Sequence, residues 1–444
     1  MLHFFRYHTP ADWRELEAWA NTRQQPAPEV EGAVQSILLE VQNRGDQALV
    51  QYTRQFDCPA FRLEQLQAAP DEGARAARQI PEDDRNLILE AAANIRAFHQ
   101  HQKETSWISH ETPGLTLGQL VHPVQRAGVY IPGGRSGETP LVSSLLMNCI
   151  PAQVAGVREI VAVTPPAEDG TLNPYILGTA HLLGIETIFA VGSAWAIGAL
   201  AFGTESIPKV DIISGPGNIY VTTAKRLVLG QVGIDMIAGP SEIVILADAT
   251  ADPRWLAADL LSQAEHDALS SAIVISPEAE LLNQVAGEVG RQLEQLPRKE
   301  TARRSLHDHG ACIQTADLRS ALDVANQLAP EHLQLCIQDP WSALGRIHNA
   351  GAVFLGHFSP EPLGDYFAGP NHVLPTLGTA RFTSGLSVQH FCKKTNLIAA
   401  DQHYMTAQAG KISRLARLEG LEAHARSAES RLQPTISEST TKRS

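Results

Sequence analysis

The sequence predicts an α/β protein with two Rossmann-like, doubly wound sheets and helical extensions at both ends. The main observation is a series of short apolar runs, the first five separated by helix-length, alanine-rich segments; the runs lie at residues 127–131, 159–163, 187–191, 210–213, 243–247, 271–276, 310–314 and 351–355. Strands about 25–35 residues apart with helical inserts are typical of parallel β-α-β units. Ligands of such sheets bind at the carboxyl ends of the strands.

Composition excludes several classes of function. The 444 residues are enough for two or three domains, and 19% charged with 43% apolar residues is ordinary for a soluble enzyme. A net charge of -13 argues against nucleic-acid binding. No apolar run approaches the roughly 20 residues that span a membrane, and the N-terminus does not resemble a signal peptide. Five scattered cysteines form neither a disulfide framework nor a thiolate metal site, so we expect a cytoplasmic protein.

The sequence also predicts how the chain divides. Residues 1–25 are expected to form one short helix before a Gln-Pro-Ala-Pro break, and further amphipathic helices follow. The tail after about residue 383 has a helical pattern, and its polar end after about 432 is expected to be disordered. We therefore predict four parts: a helical segment 1–25, an α/β domain 26–126 with 241–380, a second α/β domain 127–240, and a helical tail 381–444.

Two glycine-containing loops follow predicted strands. The first begins at Tyr130 with Tyr-Ile-Pro-Gly-Gly, and the second is Ser-Gly-Pro-Gly-Asn, ending at Asn218 just before a predicted helix. Glycines there allow backbone amides to approach a phosphate group at a helix N-terminus. Since the GxGxxG fingerprint is missing, the spacing does not identify NAD. Tight strand-to-helix turns explain these loops equally well.

The most informative stretch is residues 233–266. A small-residue turn containing Ser241 leads into a β-branched, apolar strand, and Asp252-Pro253 then marks a helix start. Near the end of this helix, Gln263 and His266 are three residues apart and project from one face. An imidazole beside an amide oxygen can bind a metal ion. The alternative is a surface pair at the helix terminus.

Three further pairs combine acid or base groups. Pro330 should end a helix, which places Glu331 and His332 at a boundary where they can act as an acid/base pair. The second pair, Asp365 and His372, lies in a loop rich in Gly and Pro, and the third pair, Glu419 and His424, lies in the helical tail. Taken alone, adjacent Glu-His pairs are common, and loop or tail residues are ordinarily solvated.

These segments together resemble the histidinol dehydrogenase family. A Gly-Ile-Asp turn, an Ala-Gly-Pro-Ser-Glu motif and a Ser-Gln-Ala-Glu-His helix end occur within residues 233–266 in the order that the family shows. The Pro-Glu-His-Leu sequence around His332 and the Gly-Asp-Tyr and Asn-His-Val-Leu-Pro-Thr sequences within residues 364–376 also match the family. The resemblance extends from about residue 30 to about residue 432. It implies that residues 26–126 with 241–380 form the metal-binding catalytic domain, that 127–240 form the nucleotide-binding domain, and that 381–444 form a dimerisation tail.

The resemblance implies two successive NAD-dependent oxidations, of L-histidinol to the aldehyde and then to L-histidine, the last steps of histidine biosynthesis. His332 would take the alcohol proton, and Glu331 would activate water for the second oxidation. The family further implies one Zn²⁺ per subunit, with ligands Gln263, His266, Asp365 and His424. The implied substrate-binding residues are Ser241, Gln263, His266, His332, Asp365, His372, Glu419 and His424. The tail would reach into the partner subunit, making an obligate homodimer with shared sites.

On the nucleotide side, Tyr130 and Asn218 match family positions that contact the dinucleotide, but other positions depart from the pattern. Where the family carries Gly-Gly-Ala-Gln-Ala, this chain has Gly-Ser-Ala-Trp-Ala, and the loop after Gly134 also differs. Trp195 can stack on adenine or nicotinamide but cannot replace an amide's donor and acceptor. We therefore expect a repacked cleft that still uses NAD. Three alternatives are a paralogous metal- and NAD-dependent dehydrogenase of another small polar alcohol, a zinc hydrolase, and a non-catalytic metal-binding homodimer.

Overall fold

The computed structural model describes residues 2–24, 28–133 and 139–432. Residues 134–138 of the altered loop lie outside these residues, as does the tail beyond residue 432, which the sequence predicts to be disordered. The chain divides into two compact units. The first comprises Met1–Lys103 with Val124–Phe391, and the second comprises Glu104–Pro123 with Cys392–Ser444.

The strands confirm the predicted series of apolar runs and add others. Their bounds are β1 His3–Tyr7, β2 Trp107–Thr112, β3 Leu115–Pro123, β4 Arg126–Tyr130, β5 Glu159–Thr164, β6 Thr187–Ala190, β7 Ile212–Ser214, β8 Gly233–Ile234, β9 Glu242–Ala247, β10 Ser271–Ser276, β11 Gly310–Thr315, β12 His332–Cys336, β13 Ala352–Leu355 and β14 Cys392–Ala400.

The helices connect these strands and extend both ends of the chain. Their bounds are α1 Trp13–Ala20, α2 Pro28–Arg44, α3 Asp46–Phe56, α4 Glu72–Gln79, α5 Glu82–Gln100, α6 Val142–Ala155, α7 Pro174–Leu182, α8 Ser193–Phe202, α9 Ile219–Val228, α10 Pro253–Ala264, α11 Ala279–Leu293, α12 Lys299–His309, α13 Leu318–Leu328, α14 Pro340–Ala343, α15 Glu361–Tyr366, α16 Gln402–Leu418 and α17 Glu422–Glu429.

Within the described residues, the first unit contains two parallel sheets. Six strands form one sheet in the order β1-β11-β10-β9-β12-β13, and five form the other in the order β6-β5-β4-β7-β8. In the first sheet the chain proceeds outward from β9 through β10 and β11, and then returns to the other side of β9 with β12. The second sheet makes the same reversal between β4 and β7. Such switch points in strand order open crevices where ligands of doubly wound sheets bind.

The six-stranded sheet is covered on both faces. Alternate residues of β9 point to opposite sides, so Ile243 and Ile245 enter one apolar cluster while Val244 and Leu246 enter another. Every residue of β9 is buried, as is typical of a parallel strand between two helix layers. This double burial explains why these strands are continuous apolar runs in the sequence.

Helices α2 and α3 pack with the five-stranded sheet. Val34, Leu38 and Leu49 share one core cluster with Val161 of β5 and Phe189 of β6. The sequence-based division placed residues 26–126 with the other sheet, so the packing of these helices differs from that prediction. An amphipathic helix signals a buried face, but it does not identify the surface that covers it.

Several strands were not expected from the sequence. The predicted N-terminal helix is present as α1, but β1 precedes it and pairs in parallel with β11. In the second unit β14 pairs antiparallel with β3, and β3 with β2, so a strand occupies the start of the tail predicted to be helical. These strands depend on partners far away along the chain, which local patterns do not reveal. Among the described helices, none has the length and apolar character needed to cross a membrane.

Candidate active site and metal centre

Glu331 and His332 are both held by the backbone of one residue, Glu242. Helix α13 ends at Leu328, Ala329 adopts a left-handed conformation with φ +50°, and β12 begins at His332 beside β9. The Glu242 amide donates to Glu331 Oε2 at 2.8 Å, and the Glu242 carbonyl lies 2.9 Å from His332 Nδ1. The switch point between β9 and β12 thus fixes two adjacent side chains at the amino ends of these strands.

This contact determines the protonation of His332. A carbonyl oxygen only accepts, so Nδ1 carries the hydrogen and Nε2 keeps its lone pair. His332 is 3% exposed, and its Nε2 has no hydrogen-bond partner within the part of the chain that the structure describes. Burial lowers the pKa of His332, which keeps the ring neutral at pH 7. The result is a buried neutral base with an available lone pair.

The pKa of Glu331 is shifted in the opposite direction from that of His332. Burial raises the pKa of its carboxyl well above the usual value, more than the hydrogen bond from the Glu242 amide lowers it. Its Oε2 lies 3.7 Å from His332 Nδ1. A carboxylate with a raised pKa takes a proton from water more readily than an ordinary one. The pair therefore combines two bases of different strength.

A candidate metal centre lies beside this pair. One ligand atom each from His266, Glu361 and Asp365 lies within 4.8 Å of the others, and Asp365 Oδ1 is 3.9 Å from His332 Nε2. Glu361 and Asp365 are one turn apart on α15, so both carboxylates project from one side of this helix. His266 lies two residues after the last residue of α10, and its amide donates to the Gln263 carbonyl at 3.3 Å.

The donor set fits a divalent cation. Gln263 is 1% exposed, and its Oε1 is buried without a hydrogen-bond partner among the described residues. A buried unpaired acceptor is costly, and metal coordination is one way to satisfy it. Burial, reinforced by Glu361, raises the pKa of Asp365 to about 9. A cation among these groups would replace carboxylate repulsion with attraction.

The residues predicted to contact the nucleotide lie at the carboxyl ends of β4 and β7, whereas Glu331 and His332 lie at the amino ends of their strands. The Tyr130 hydroxyl accepts from the Ser193 amide at 3.3 Å, and burial raises the pKa of Tyr130 to about 12. Asn218 is the N-cap of α9, where its Oδ1 accepts from the amides of Tyr220 and Val221 at 3.0 and 3.2 Å. The side-chain oxygen of Asn218 thus caps the helix, and its NH₂ group remains a donor toward a ligand.

Comparison with known proteins identifies the family. The family model described as histidinol dehydrogenase matches residues 20–432. The chain belongs to the histidinol dehydrogenase family. It is 57% identical over 426 residues to histidinol dehydrogenase from Oleidesulfovibrio alaskensis, covering 96% of this chain and 98% of that one. Identity to the Nitratidesulfovibrio vulgaris enzyme is 56% over 421 residues, with 95% and 97% coverage.

A solved structure agrees with this assignment. Histidinol dehydrogenase from Elizabethkingia anophelis superposes with a TM-score of 0.89 at 39% identity, covering 97% of this chain and 98% of that chain. The chain is therefore an enzyme, an oxidoreductase of histidine biosynthesis, as the sequence predicts. Enzymes of this family use NAD and zinc. The alternatives of a paralogous dehydrogenase, a hydrolase or a non-catalytic dimer are not favoured.

Several histidinol dehydrogenase positions predicted from the sequence come together in the first unit. His332 lies near both Glu331 and Asp365, and the Asp365 carbonyl lies 3.1 Å from His372 Nδ1. Burial lowers the pKa of His372 to about 4, so this ring is neutral. Ser241 directly precedes β9, and its carbonyl accepts from the Ser271 amide at 3.0 Å.

Two predicted residues belong to the second unit. Glu419 follows the end of α16, and His424 lies on α17; both side chains are exposed. Their roles in substrate and metal binding stay predictions, as do the roles of the other candidate residues. Within the second unit, Arg417 ties the two helices together through ion pairs with Glu422 and Glu429.

Trp195 has a clear intramolecular environment. It is 4% exposed, and its ring stacks with Tyr52 and Phe56 at centroid distances of 5.7 and 5.5 Å. Its Nε1 is buried and has no hydrogen-bond partner among residues 2–24, 28–133 and 139–432. The stacking of Trp195 on NAD stays a prediction; within the described residues, the rings that stack with Trp195 belong to α3.

Sequence reasoning missed Glu361. This carboxylate is 1% exposed, and its Oε2 accepts from the Ser262 hydroxyl at 3.2 Å. The available signal was its spacing, four residues before Asp365, directly after Pro360 at a helix start. Without the fold, this glutamate was indistinguishable from a solvated residue in the first turn of a helix.

Proposed function

We propose that the amino ends of β9 and β12 carry the two oxidations of L-histidinol, with His332 as the proton acceptor and Glu331 as the base for water. The observation that carries this proposal is the Nε2 atom of His332. It is buried and unpartnered within the described residues, its tautomer is fixed by the Glu242 carbonyl, and it lies 3.9 Å from Asp365 Oδ1.

In the first oxidation, the alcohol O–H proton passes to His332 Nε2 while hydride leaves the same carbon for the nicotinamide of NAD. This gives the aldehyde, NADH and a protonated imidazole. The neutral ring is ready to accept because burial lowers its pKa. Proton transfer by a positioned base typically contributes about 10²–10⁴-fold to a rate.

The second oxidation needs one water molecule. Glu331 takes a proton from this water as the water oxygen adds to the aldehyde carbon, and the aldehyde oxygen takes the proton that His332 holds, which gives a hydrate and a neutral His332. His332 then accepts a hydroxyl proton of the hydrate as a second hydride leaves for a second NAD, and the acid formed loses its remaining proton to give the carboxylate. The Glu242 amide holds Glu331 Oε2 in place during this step. Retaining the aldehyde in a buried site between the two steps protects it from side reactions.

Gln263, His266 and Asp365 would hold zinc, with Glu361 beside them and with His424 contributed by the tail of a partner subunit. When bound, the zinc supplies a template that orients the imidazole and amine nitrogens of the substrate. Ser241, His372 and Glu419 would complete substrate binding. This arrangement requires a homodimer with shared sites, which is part of the proposal.

The five-stranded sheet would bind NAD at the carboxyl ends of β4 and β7. Tyr130 and the donor group of Asn218 line this edge, and Trp195 lies at the start of α8 behind it. The positive end of the helix dipole at the N-terminus of α9 favours the pyrophosphate. The six-stranded sheet would carry the chemistry, and the enzyme would act in the cytoplasm.

The deciding experiment measures NADH formed per L-histidinol consumed by zinc-replete enzyme, before and after chelation. We expect two NADH per histidinol, loss of activity with the chelator, and recovery with added zinc. One NADH per histidinol would contradict the role of Glu331 in a second oxidation. Full activity after complete removal of metal, verified by elemental analysis, would contradict the metal centre.

A further inference from the structure

A buried ion pair holds both backbone polar groups of Gly215. The Gly215 amide donates to Asp235 Oδ2 at 2.9 Å, and Lys225 Nζ donates to the Gly215 carbonyl at 3.0 Å. Lys225 and Asp235 also pair directly, and their side chains are 4% and 0% exposed. One residue of the loop between β7 and α9 is therefore bound on both sides by a lysine from α9 and an aspartate after β8.

The geometry of this loop leaves Gly215 little freedom. Its φ is +124°, a conformation that L side chains rarely adopt, and a Cβ here would collide with the Tyr130 carbonyl oxygen. The loop thus lies directly against the carboxyl end of β4. Asp235 is fixed in turn, because its amide donates to the Ile213 carbonyl at 3.1 Å and its Oδ1 accepts from the Met236 amide at 2.6 Å.

The pair is poorly explained by stability alone. Removing two charges from water costs free energy that their mutual attraction rarely exceeds, so a buried ion pair is weak evidence for stabilisation. It does impose one geometry, since both charges must keep their partners. The ion pair thereby fixes the conformation of the 214–218 loop, whose last residue, Asn218, caps α9.

We propose that the buried Lys225–Asp235 pair positions the 214–218 loop for dinucleotide binding and thereby sets the affinity for NAD without contacting it. This inference rests on the proposed binding of NAD at the carboxyl ends of β4 and β7. Lys225 and Asp235 are positioning residues, because both act on the loop through the backbone of Gly215. A loop held in its binding conformation loses less entropy when the ligand binds.

The test replaces the pair in a way that spares the fold. The double variant Lys225→Met/Asp235→Asn removes both charges together, and the asparagine oxygen still accepts from the Gly215 amide. The chain offers a matched control on the same helix, the exposed pair of Arg226 with Glu31, whose side chains are 41% and 44% exposed. Arg226→Gln/Glu31→Gln therefore removes an ion pair that does not touch the loop.

We expect the double variant to raise the Kd and the KM for NAD by about tenfold or more, on the scale typical for lost positioning contacts. The kcat at saturating NAD, the KM for histidinol and the zinc content should stay within about twofold of the native enzyme, because the site at β9 and β12 is untouched. The control variant should leave all five quantities unchanged. A folded double variant with native NAD affinity would overturn the inference, as would an equal loss of affinity in the control.

Two further measurements keep the outcome decisive. If the double variant does not fold, Asp235→Glu keeps both charges but moves the carboxylate by one methylene, and it should still weaken NAD binding several-fold. Native NAD affinity in this folded variant would then overturn the inference. If the native enzyme itself does not bind NAD at this sheet, as judged by protection of the 214–218 loop from hydrogen exchange, the proposed nucleotide site fails and the inference falls with it.

Discussion

The two parallel sheets of the first unit use opposite edges. The glycine loop and Tyr130 lie at the carboxyl ends of β7 and β4, as the general rule for doubly wound sheets predicts. Glu331 and His332 instead lie where β12 begins, next to the first residues of β9. Both places are switch points in strand order. In the proposed function, one switch point carries the chemistry at the amino ends of its strands, and the other binds NAD at the carboxyl ends.

The two edges also differ in how their polar groups are satisfied. Around β9 and β12, burial raises the pKa values of Glu331 and Asp365 and lowers that of His332. The buried atoms Gln263 Oε1, His332 Nε2 and Gln334 Oε1 have no hydrogen-bond partner among the described residues. In the 214–218 loop, the Gly215 backbone and the Asn218 oxygen are already hydrogen-bonded, whereas the buried Ser214 Oγ has no hydrogen-bond partner within the part of the chain that the structure describes. The first arrangement suits reaction and metal binding, and the second suits a preformed binding surface.

The largest effect is expected from His332→Asn, which tests whether the β9–β12 edge carries the reaction. The asparagine NH₂ can keep the hydrogen bond to the Glu242 carbonyl, but no lone pair remains at the Nε2 position. We expect the rate of histidinol oxidation to fall by about 10²–10⁴-fold with unchanged zinc content. Steady-state NADH production measures the rate, and near-native turnover would exclude His332 as the base.

A second test measures how much the buried Trp195 ring contributes to the stability of the core next to the five-stranded sheet. Trp195→Ala removes a buried ring that stacks on Tyr52 and Phe56, and we expect the free energy of unfolding to fall by about 3–5 kcal/mol. Trp341, which is 71% exposed, is the matched control, and Trp341→Ala should change it by less than about 0.5 kcal/mol. Urea unfolding measures both, and similar losses would contradict a structural role specific to Trp195.

Glu361→Gln tests whether this carboxylate belongs to the metal centre. The amide keeps the shape of the side chain and an acceptor for the Ser262 hydroxyl, but it removes a negative charge from the cluster. We expect zinc affinity to weaken by about 10–100-fold, measured by competition with a chromophoric chelator. Glu280→Gln on α11 is the control and should bind zinc normally. Native affinity in the Glu361 variant would place this carboxylate outside the metal site.

The smallest effect concerns Asp57, at the end of α3. Burial raises the pKa of Asp57 to about 6, so the folded protein binds this proton more tightly than the unfolded chain does. Its contribution to stability is fully present below about pH 4 and is lost as the pH rises through about 6. Asp57→Asn should therefore gain stability relative to the native protein between pH 4.5 and 7.5, on the order of 1–2 kcal/mol after allowance for partial exposure. A pH-independent difference in urea unfolding would contradict this.

Local signals in the sequence were sufficient for some elements. Asp252 caps α10 by accepting from the Arg254 amide, and Pro253 is the first helical residue, as predicted. The run at Ser271–Ser276 has the predicted bounds, and α13 ends just before Pro330. The cap and the helix end depend on interactions within a few residues, and β10 is visible as a continuous apolar run, so these patterns can be read without the fold.

The sequence by itself determined the α/β class, the family and the acid, base and metal-binding residue types, because strand spacing, helix caps and long motifs are encoded locally. Only the tertiary structure decided that Glu242 holds both Glu331 and His332, that Glu361 joins His266 and Asp365, and that Lys225 and Asp235 clamp Gly215. These relations join residues that are distant along the chain. Their physical cause is strand order and helix packing, which bring such residues together through many weak contacts that no single segment encodes.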